Sequence, residues 1–319
     1  MNIPLVTIGL TTYNALATVE RALASALAQT WQPIEIVAVD DCSTDGTRAL
    51  LDRLADGQPL LRVFGNAINS GVAVSRNRIL QEARGEFVVF FDDDDESTPD
   101  RVVRQAERIT RYEQQFAQGA PVVCHTARRR IYAESLERLE PTMGQRDGRV
   151  APHGVAVANR ILLGTPLEDG YGACPTCSQM ARVATYRALG GFDPTLRRGE
   201  DTDFTIRLGL AGGHLVGLAA PLVTQWMTRT SEKSLAEEHR NQLLLIRKHR
   251  PFLDSAGQYG FCLEWADAKL AWLERRRGSF LYRVAILAGR HPVLTARRLR
   301  MAMPNASLNL AFSRFHRAS

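Results

Sequence analysis

Strand-like and helix-like segments alternate through the first 112 residues, and this alternation limits the possible fold more than any other feature of the chain. Short apolar, β-branched runs predict strands, and apolar positions at helical spacing predict helices between them. The strands are expected at residues 3–10, 35–39, 61–64 and 87–91, and the helices at 15–28, 47–54, 72–83 and 99–112. Asn14 is expected to cap the first helix. Because consecutive parallel strands need a crossover helix, this order predicts a mostly parallel, doubly wound α/β sheet.

Polar residues follow three of these strands directly. Thr11, Thr12 and Tyr13 follow the first strand, Asp40 and Asp41 the second, and a run of four aspartates the fourth. Ligands of open α/β sheets bind at the carboxyl ends of the strands. We therefore expect these clusters to lie together at a ligand site.

The run of four aspartates, Asp92, Asp93, Asp94 and Asp95, is here called the acidic cluster. Neighbouring carboxylates repel one another, and a buried strand end is a costly place for them without a cation. Hard divalent ions such as Mg²⁺ and Mn²⁺ take oxygen ligands and commonly hold diphosphates as well. The alternative is a solvated acidic loop that favours the start of the following helix.

The segment Asp40-Asp41-Cys-Ser-Thr-Asp-Gly-Thr47 closes the second strand and opens a helix. Turn and capping chemistry accounts for residues 43–47, since Asp, Ser and Thr cap helices and glycine permits positive φ. It does not account for two acids directly after the strand. A carboxylate there can accept hydrogen bonds from a nucleobase N–H or a ribose hydroxyl.

The second half is less regular. Helices are expected at 182–189, 202–211 and 259–277, a strand at 214–219, and irregular structure with few strands at 128–158. Ser234 and Glu237 form a capping-box pattern for a helix that ends before Pro251. Cys174 and Cys177 have CxxC spacing without a second such pair, which favours two reduced thiols over a zinc site.

The charge of the chain is uneven. The formal net charge is +6, yet residues 275–319 hold ten arginines and no Asp, Glu or Lys. A basic tail of this kind points to an anionic surface, phospholipid before nucleic acid. The start of the chain lacks a secretory pattern and no apolar run approaches a membrane span. We therefore expect a cytoplasmic protein, either free or peripheral at the inner face of the membrane.

Several motifs in sequence order resemble those of the family-2 nucleotide-sugar glycosyltransferases. They are Thr11-Thr-Tyr-Asn14, Val39-Asp-Asp-Cys-Ser-Thr-Asp-Gly-Thr47, Asn69-Ser-Gly-Val-Ala-Val-Ser-Arg-Asn77, Gly85-Glu-Phe-Val-Val-Phe-Phe-Asp-Asp-Asp-Asp95, Leu189-Gly-Gly-Phe-Asp193 and Arg198-Gly-Glu-Asp-Thr-Asp203. The resemblance implies the GT-A fold, with a Rossmann-like, mostly parallel sheet flanked by helices. It implies a catalytic domain at 1–231, with a nucleotide-sugar half at about 1–115 and an acceptor half at 116–231. A helical, basic C-terminal region would follow at 232–319.

The resemblance also implies roles for single residues. Donor-binding positions are Thr11, Tyr13, Asp40, Asp41, Arg76, Asp92 and Asp93. Asp94, together with Asp92, stands where the family holds Mn²⁺ or Mg²⁺, and Asp201, with Glu200 beside it, stands where the family has its catalytic base. The family often has a histidine about 25–30 residues further on. Here the segment 225–231 has none, and Arg229 or Lys233 could neutralise diphosphate charge instead.

The implied activity is inverting transfer of a sugar from a nucleotide diphosphate donor, expected to be a UDP-sugar, to a hydroxyl of a glycan or lipid-linked acceptor. Cell-surface polysaccharide or glycoconjugate synthesis would be its setting. One alternative is a nucleotidyltransferase acting on a sugar phosphate, although residues 11–14 lack the glycine-rich basic loop that would hold a triphosphate. The other is a non-catalytic nucleotide- or membrane-binding module. No nucleic-acid partner is expected, and the sequence leaves the oligomeric state open.

Overall fold

The structure, a computed structural model, describes residues 3–133, 136–227 and 234–302. Nine strands form one sheet in the order β3-β2-β1-β4-β8-β6-β9-β5, and β7 pairs with β6. The strands are β1 Val6–Thr12, β2 Ile34–Asp40, β3 Leu61–Gly65, β4 Phe87–Asp92, β5 Glu96–Ser97, β6 Val122–Ala133, β7 Leu136–Glu140, β8 Met180–Arg182 and β9 His214–Trp226.

The helices flank this sheet and make up the C-terminal region. In chain order they are α1 Val19–Leu27, α2 Thr47–Asp56, α3 Val72–Glu82, α4 Arg101–Tyr112, α5 Val155–Ala158, α6 Val183–Ala188, α7 Glu200–Leu210, α8 Leu235–Lys248, α9 Arg250–Ser255, α10 Tyr259–Leu273 and α11 Arg277–Arg290. Residues 292–302 are also helical.

The predicted parallel arrangement holds for the first half of the sheet. β1 pairs in parallel with β2 and β4, and β2 with β3. The second half is mixed, because β8 runs antiparallel to both β4 and β6, while β6 and β9 are parallel. The predicted α/β class is confirmed, but the sheet is mixed rather than mostly parallel throughout.

The core lies on both faces of the central strands, since every residue of β1 and β2 is buried. One face receives Val19, Leu23 and Ala26 of α1 and the apolar side of α4. On another part of β4, Phe90 packs edge-on against Tyr186 and Phe192, with ring centroids 5.4 and 5.6 Å away. Phe204 of α7 stacks on Tyr186 at 4.8 Å, and this aromatic cluster fixes the start of α7 near the sheet.

One local prediction was wrong. Asn14 does not cap a helix at residue 15; its φ is 49°, and α1 begins only at Val19. Asparagine tolerates this left-handed conformation, and its side chain bonds another loop instead. Residues 128–133 lie in the segment predicted to be irregular with a strand or two. They continue the long strand β6, because pairing with β9 and β7 on either side supplies the ladder.

The chain folds into two compact units. One comprises Met1–Val157 and Glu168–Met227, and the other comprises Ala158–Leu167 together with the chain from Thr228 onward. Residues 158–167, which the sequence analysis assigned to the acceptor half, therefore pack with the C-terminal helices. The expected boundary at 231, like Arg229 and Lys233, lies outside the described residues.

The C-terminal unit includes the capping box that the sequence predicted. The Ser234 hydroxyl accepts a hydrogen bond from the backbone N–H of Glu237 at 3.2 Å, at the start of α8. α10 and α11 pack together through Phe261, Ala268 and Leu287. In the part of the chain that the structure describes, no helix combines the length and apolar character needed to cross a bilayer.

Candidate active site

The carboxyl ends of β1, β2 and β4 meet at one edge of the sheet. Thr12 of β1 lies opposite Asp40 of β2, and Thr11 lies opposite Asp92 of β4. The three polar clusters are therefore neighbours, as the parallel arrangement predicts. A ligand placed at this edge would contact all three loops.

The Asp40 carboxylate holds the turn that follows β2. Its Oδ1 accepts from the Thr12 hydroxyl at 3.2 Å and the Ser43 hydroxyl at 2.5 Å, and its Oδ2 accepts from the Ser43 N–H at 3.0 Å. The side chain is buried. Asp40 thus bonds its own turn and the end of β1, which accounts structurally for one of the two acids.

The Asp41 carboxylate is also bound by the chain itself. It accepts from the Asn66 amide at 2.7 Å and from the backbone N–H groups of Ser70 and Gly71 at 2.9 and 2.7 Å. Gly71 immediately precedes α3. Asp41 therefore orders the loop before α3, the helix that carries Arg76, and its predicted contact with a nucleobase stays a prediction.

The loop after β1 is fastened to the loop after β2. The Asn14 Oδ1 accepts from the Thr44 N–H at 2.8 Å, and the Ser43 hydroxyl accepts from the Asn14 N–H at 2.9 Å. Tyr13, the neighbour of Asn14, has 45% of its surface exposed, and its N–H donates to Asp93 Oδ2 at 2.9 Å. An exposed aromatic residue is thus held beside the acidic cluster.

The members of the acidic cluster differ in environment. Removal from water, reinforced by the charges of Asp94 and Asp92, raises the pKa of Asp93 to about 8. Asp95 is buried, and desolvation together with Asp92 raises its pKa well above the usual range. Its Oδ1 accepts from the Trp226 N–H at 3.2 Å, whereas its buried Oδ2 has no hydrogen-bond partner among the described residues.

This donor set fits a hard divalent cation. Oxygens of Asp92 and Asp95 and the Cys177 sulfur lie within 4.8 Å of one another, and the unpartnered Asp95 Oδ2 has the chemistry of a metal ligand. Burial raises the pKa of Cys177 far above its usual value, so the neutral thiol is a poor ligand for Mg²⁺ or Mn²⁺. Asp94, the predicted ligand, is not in this group, and its backbone oxygen accepts from Arg21 at 2.8 Å.

The sequence placed Asp95 in the acidic cluster without a role of its own, and it gave no role at this site to Cys177 or to two buried arginines nearby. Arg101 is fully buried and donates to Ser97 Oγ, Gln105 Oε1 and the Phe90 carbonyl. Arg128 is buried, donates to Gln225 and Glu140, and lowers the pKa of Asp95 against the effect of burial. Both arginines partly balance the acidic charge. Nothing in the local sequence around Arg128 indicated that it would lie beside the acidic cluster.

Arg76 joins the acidic cluster to the acceptor-half motif. One guanidinium nitrogen lies 2.5 Å from Glu200 Oε1 and the other 3.2 Å from Asp92 Oδ1, and the residue is 4% exposed. Its Nε finds no hydrogen-bond partner in the described part of the chain, and its guanidinium carbon lies 5.6 Å from the centre of the Phe192 ring. The structure therefore brings together three predicted site residues, one of which is far from the others in sequence.

Glu200 and Asp201 form the first turn of α7, after Gly199 in the left-handed conformation at φ 79°. Burial, partly opposed by Arg76 and reinforced by Asp201, raises the pKa of Glu200 to about 6. Asp201 is half-buried, and its Oδ1 accepts from the Thr202 N–H at 2.6 Å. Its carboxylate is thus held in place by the helix start.

The α/β fold and its carboxylate-rich edge define the class as a ligand-binding α/β protein, and comparison with known proteins defines the family. A protein-family model described as glycosyl transferase family 2 matches residues 7–168 of the chain. The chain belongs to this family.

Two curated relatives match about a third of the chain. The succinoglycan biosynthesis protein ExoO of Rhizobium meliloti is 41% identical over 106 residues, which are 33% of this chain and 30% of that protein. The cholesterol galactosyltransferase of Borreliella burgdorferi is 31% identical over 114 residues, 35% of this chain and 29% of that protein. The matched segment thus covers less than half of these relatives.

Solved structures match over nearly the whole chain. S. aureus TarS 1–349 in complex with UDP-GlcNAc has a TM-score of 0.58 at 17% identity, covering 98% of this chain and 89% of that one. The mannosyltransferase PcManGT from Pyrobaculum calidifontis, in complex with GDP-Man and Mn²⁺, has a TM-score of 0.57 at 17% identity, covering 98% and 84%. At such sequence identity the likeness establishes the fold alone, and it confirms the predicted GT-A fold.

Proposed function

We propose that the protein is a metal-dependent inverting glycosyltransferase that moves a sugar from a nucleotide diphosphate, preferably a UDP-sugar, to a hydroxyl of a glycan or lipid-linked acceptor. The observation that carries this proposal is the bridge from Asp92 through Arg76 to Glu200. It joins the donor-side cluster to the Glu-Asp pair. The similarity to the succinoglycan biosynthesis protein ExoO supports a role in cell-surface polysaccharide or glycoconjugate formation.

The donor would lie across the carboxyl ends of β1, β2 and β4. The exposed Tyr13 ring is suited to stack on the base, with Thr11 and Asp41 beside it. Asp40 supports this loop through its turn, and Asp92, Asp93 and Arg76 would face the ribose and diphosphate. Of the two similar structures with bound sugar nucleotides, one holds a uridine and the other a guanosine donor, so the base is a matter for direct measurement.

Asp94 and Asp92 would hold Mn²⁺ or Mg²⁺, with Asp95 adjacent through its unpartnered oxygen. When bound, the ion neutralises the diphosphate and makes it a better leaving group. A cation would also offset the burial and the neighbouring negative charge that raise the pKa of Asp95. Cys177, kept as a neutral thiol, would pack beside the site.

Asp201 would act as general base. As the acceptor oxygen bonds to the anomeric carbon, the bond from that carbon to the diphosphate breaks, and the hydroxyl proton passes to Asp201. A single displacement inverts the anomeric carbon and needs no carboxylate nucleophile. Glu200, engaged with Arg76, would position the pair rather than take the proton.

The first test is calorimetric titration of nucleoside diphosphates and their sugars with and without Mn²⁺. We expect one base to bind, with affinity that falls at least about tenfold when the metal is removed or in Asp94→Ala. Failure of every nucleotide to bind the folded protein in Mn²⁺ would contradict the donor site.

The second test concerns the base. Asp201→Asn should lose at least about a hundredfold in release of nucleoside diphosphate, since general-base catalysis contributes on that order, while donor binding stays at the wild-type level. Asp52→Asn, an exposed aspartate paired with Arg48, is the matched control and should keep full activity. Near-full turnover of Asp201→Asn would overturn the assignment. Release of pyrophosphate by the wild-type protein, in place of nucleoside diphosphate, would favour the nucleotidyltransferase. Release of neither product by the wild-type protein would favour a binding module.

We further propose that the catalytic domain is the sheet-containing unit and that the basic C-terminal region associates with the inner face of the membrane. The ten arginines without acidic residues after position 274 support this association. Such an association would suit a lipid-linked acceptor, which lies at the same surface.

A further inference from the structure

The outward face of α11 carries only apolar and small side chains. On its inner side, Phe280, Val284 and Leu287 pack with α10. On its outer side, Leu281 and Tyr282 are 65% and 69% exposed. This outer face consists of the exposed residues Gly278, Leu281, Tyr282, Ala285, Ala288 and Gly289. A surface helix normally presents charged residues to water. Between the terminal arginines of α11 the one charged residue, Arg283, is half-buried and paired with Asp267, so the apolar outer face calls for a partner.

Arginines stand at both ends of this outer face. Arg275, Arg276 and Arg277 are exposed at its start, and Arg290 is exposed at its end. Beyond it, Val293 is 70% exposed, and the exposed Arg300 lies further along the next helical segment. Arg276 and Arg290 bond Glu274 and Glu264 while more than half of each side chain remains exposed. The arrangement is an apolar strip framed by cations.

We propose that the outer face of α11 lies in the headgroup region of an anionic phospholipid bilayer. This rests on the membrane association included in the proposed function, and it names the surface responsible. A helix with an apolar outer face and basic flanks binds at such an interface through buried apolar area and attraction to anionic lipid. Tyr282 suits the boundary, since its ring is apolar and its hydroxyl is polar. The flanking arginines can donate paired hydrogen bonds to lipid phosphates.

Charge favours lipid over a second copy of the chain. In a two-fold dimer the same patch would face itself. No Asp or Glu occurs from residue 275 to the end of the sequence, so two arginine-framed faces would meet without acidic partners from this region. A phospholipid surface supplies the missing negative charge.

Flotation of the full chain with vesicles tests the proposal. We expect binding to vesicles of phosphatidylcholine and phosphatidylglycerol in equal parts, and none to vesicles of phosphatidylcholine alone. Leu281→Ser with Tyr282→Ser should weaken the partition at least about tenfold, because both side chains lose apolar contact with the bilayer. Arg275→Ala with Arg300→Ala should weaken it by a similar factor, and added salt should do the same.

The matched control is Leu139→Ser with Tyr171→Ser, which removes the same two side chains where they are 62% and 47% exposed on the other unit. It should float like the wild type. Nucleoside diphosphate release without vesicles should be unchanged in the Leu281/Tyr282 variant, which shows that it is folded. If no protein of the set releases nucleotide while vesicle binding follows the expected pattern, the transferase proposal fails and the membrane surface stands.

Three results would overturn the inference. The Leu281/Tyr282 variant could float like the wild type, or the wild type could bind both kinds of vesicle equally. The wild type could also sediment as a dimer that the Leu281/Tyr282 variant converts to monomer, in which case a second copy covers this face.

Discussion

Arg76 is a buried cation that links two carboxylate-bearing segments of the candidate site. Its guanidinium is buried between the carboxylates of Asp92 and Glu200. A buried charge is stable only while its partners remain, because desolvation then has no compensation. The same residue therefore bears on both stability and the geometry of the site.

We expect Arg76→Ala to destabilise the protein by about 3 kcal/mol, since it leaves two buried or half-buried carboxylates without their cation. Nucleoside diphosphate release should also fall, because Glu200 and Asp201 lose their connection to the acidic cluster. Arg78→Ala is the control on the same helix. It breaks the i,i+4 pair of the exposed Arg78 with Glu82, which keeps its ion pair with Arg62, and should cost no more than about 0.5 kcal/mol in urea unfolding. Equal losses in the two variants would argue against a bridging role.

Among the elements, α3 couples the donor loops to the acceptor-half motif through two neighbouring residues. Arg76 reaches Glu200, and Asn77 holds the turn before α7. The Asn77 amide donates to the Phe192 carbonyl at 2.7 Å, and its Oδ1 accepts from the Phe192 N–H at 2.8 Å. The backbone passes close to Asn77 at Gly191, where φ is 67° and an added Cβ would lie 2.4 Å from Asn77 Oδ1.

Gly191→Ala should therefore destabilise the protein by more than about 1 kcal/mol, through both the strained backbone and the clash with Asn77. Activity should fall as well, because the turn leads to Glu200 and Asp201. Gly190→Ala is the matched control: φ there is 75°, and no described atom lies within 4 Å of the added Cβ. Only backbone strain then applies. Thermal unfolding and nucleotide release of both variants would separate the two costs, and identical behaviour would show that the Asn77 contact is unimportant.

For the molecule as a whole, buried histidines should contribute strongly to the response to acid. Burial, with repulsion from Arg128, lowers the pKa of His125 to about 3, and burial, with repulsion from His153, lowers that of His214 to about 4. His214 Nδ1 lies 2.8 Å from the Tyr112 hydroxyl, which also accepts from the Ala151 N–H at 2.9 Å. The lowered pKa keeps the ring neutral, so its Nδ1 can accept a hydrogen bond from the Tyr112 hydroxyl.

The unfolded chain binds more protons than the folded one between the ordinary histidine pKa, about 6.5, and these lowered values. These histidines therefore reduce the free energy of unfolding as pH falls from about 6.5 toward 4. For His214 the loss approaches about 3 kcal/mol. Asp93 and Glu200, whose pKa values are raised, act in the opposite direction.

The His214→Asn variant separates the contribution of His214 from those of the other titrating groups. Its free energy of unfolding is compared with that of the wild type across the pH range. At pH 7 the variant should be less stable than the wild type, since the bond with Tyr112 is lost. Toward pH 4 the difference should shrink by about 3 kcal/mol, because the variant has no imidazole to protonate. Urea unfolding across this range measures it, and a difference that stays constant with pH would contradict the assignment of a buried neutral His214.

Local patterns in the chain were enough to predict the polar clusters at three strand ends and the order of strands and helices through residue 112, except for the two-residue strand β5. Strand runs, helical spacing and turn residues act within a few positions, so their signal is present in the sequence. The match of motifs also identified the family. By contrast, Asn14 was misread as a cap, since its choice between capping and a left-handed turn depends on the loop at residues 43–44.

Three-dimensional packing determines which charged residues come into contact. The contacts of Arg76 with Glu200, of Asp95 with Trp226 and of Cys177 with Asp92 all join segments that are distant in the sequence. The assignment of residues 158–167 to the C-terminal unit and the exposure of the outer face of α11 were likewise set by packing. The physical reason is that the partner of a buried charge or an apolar face is selected by the arrangement of distant segments, which no local pattern records.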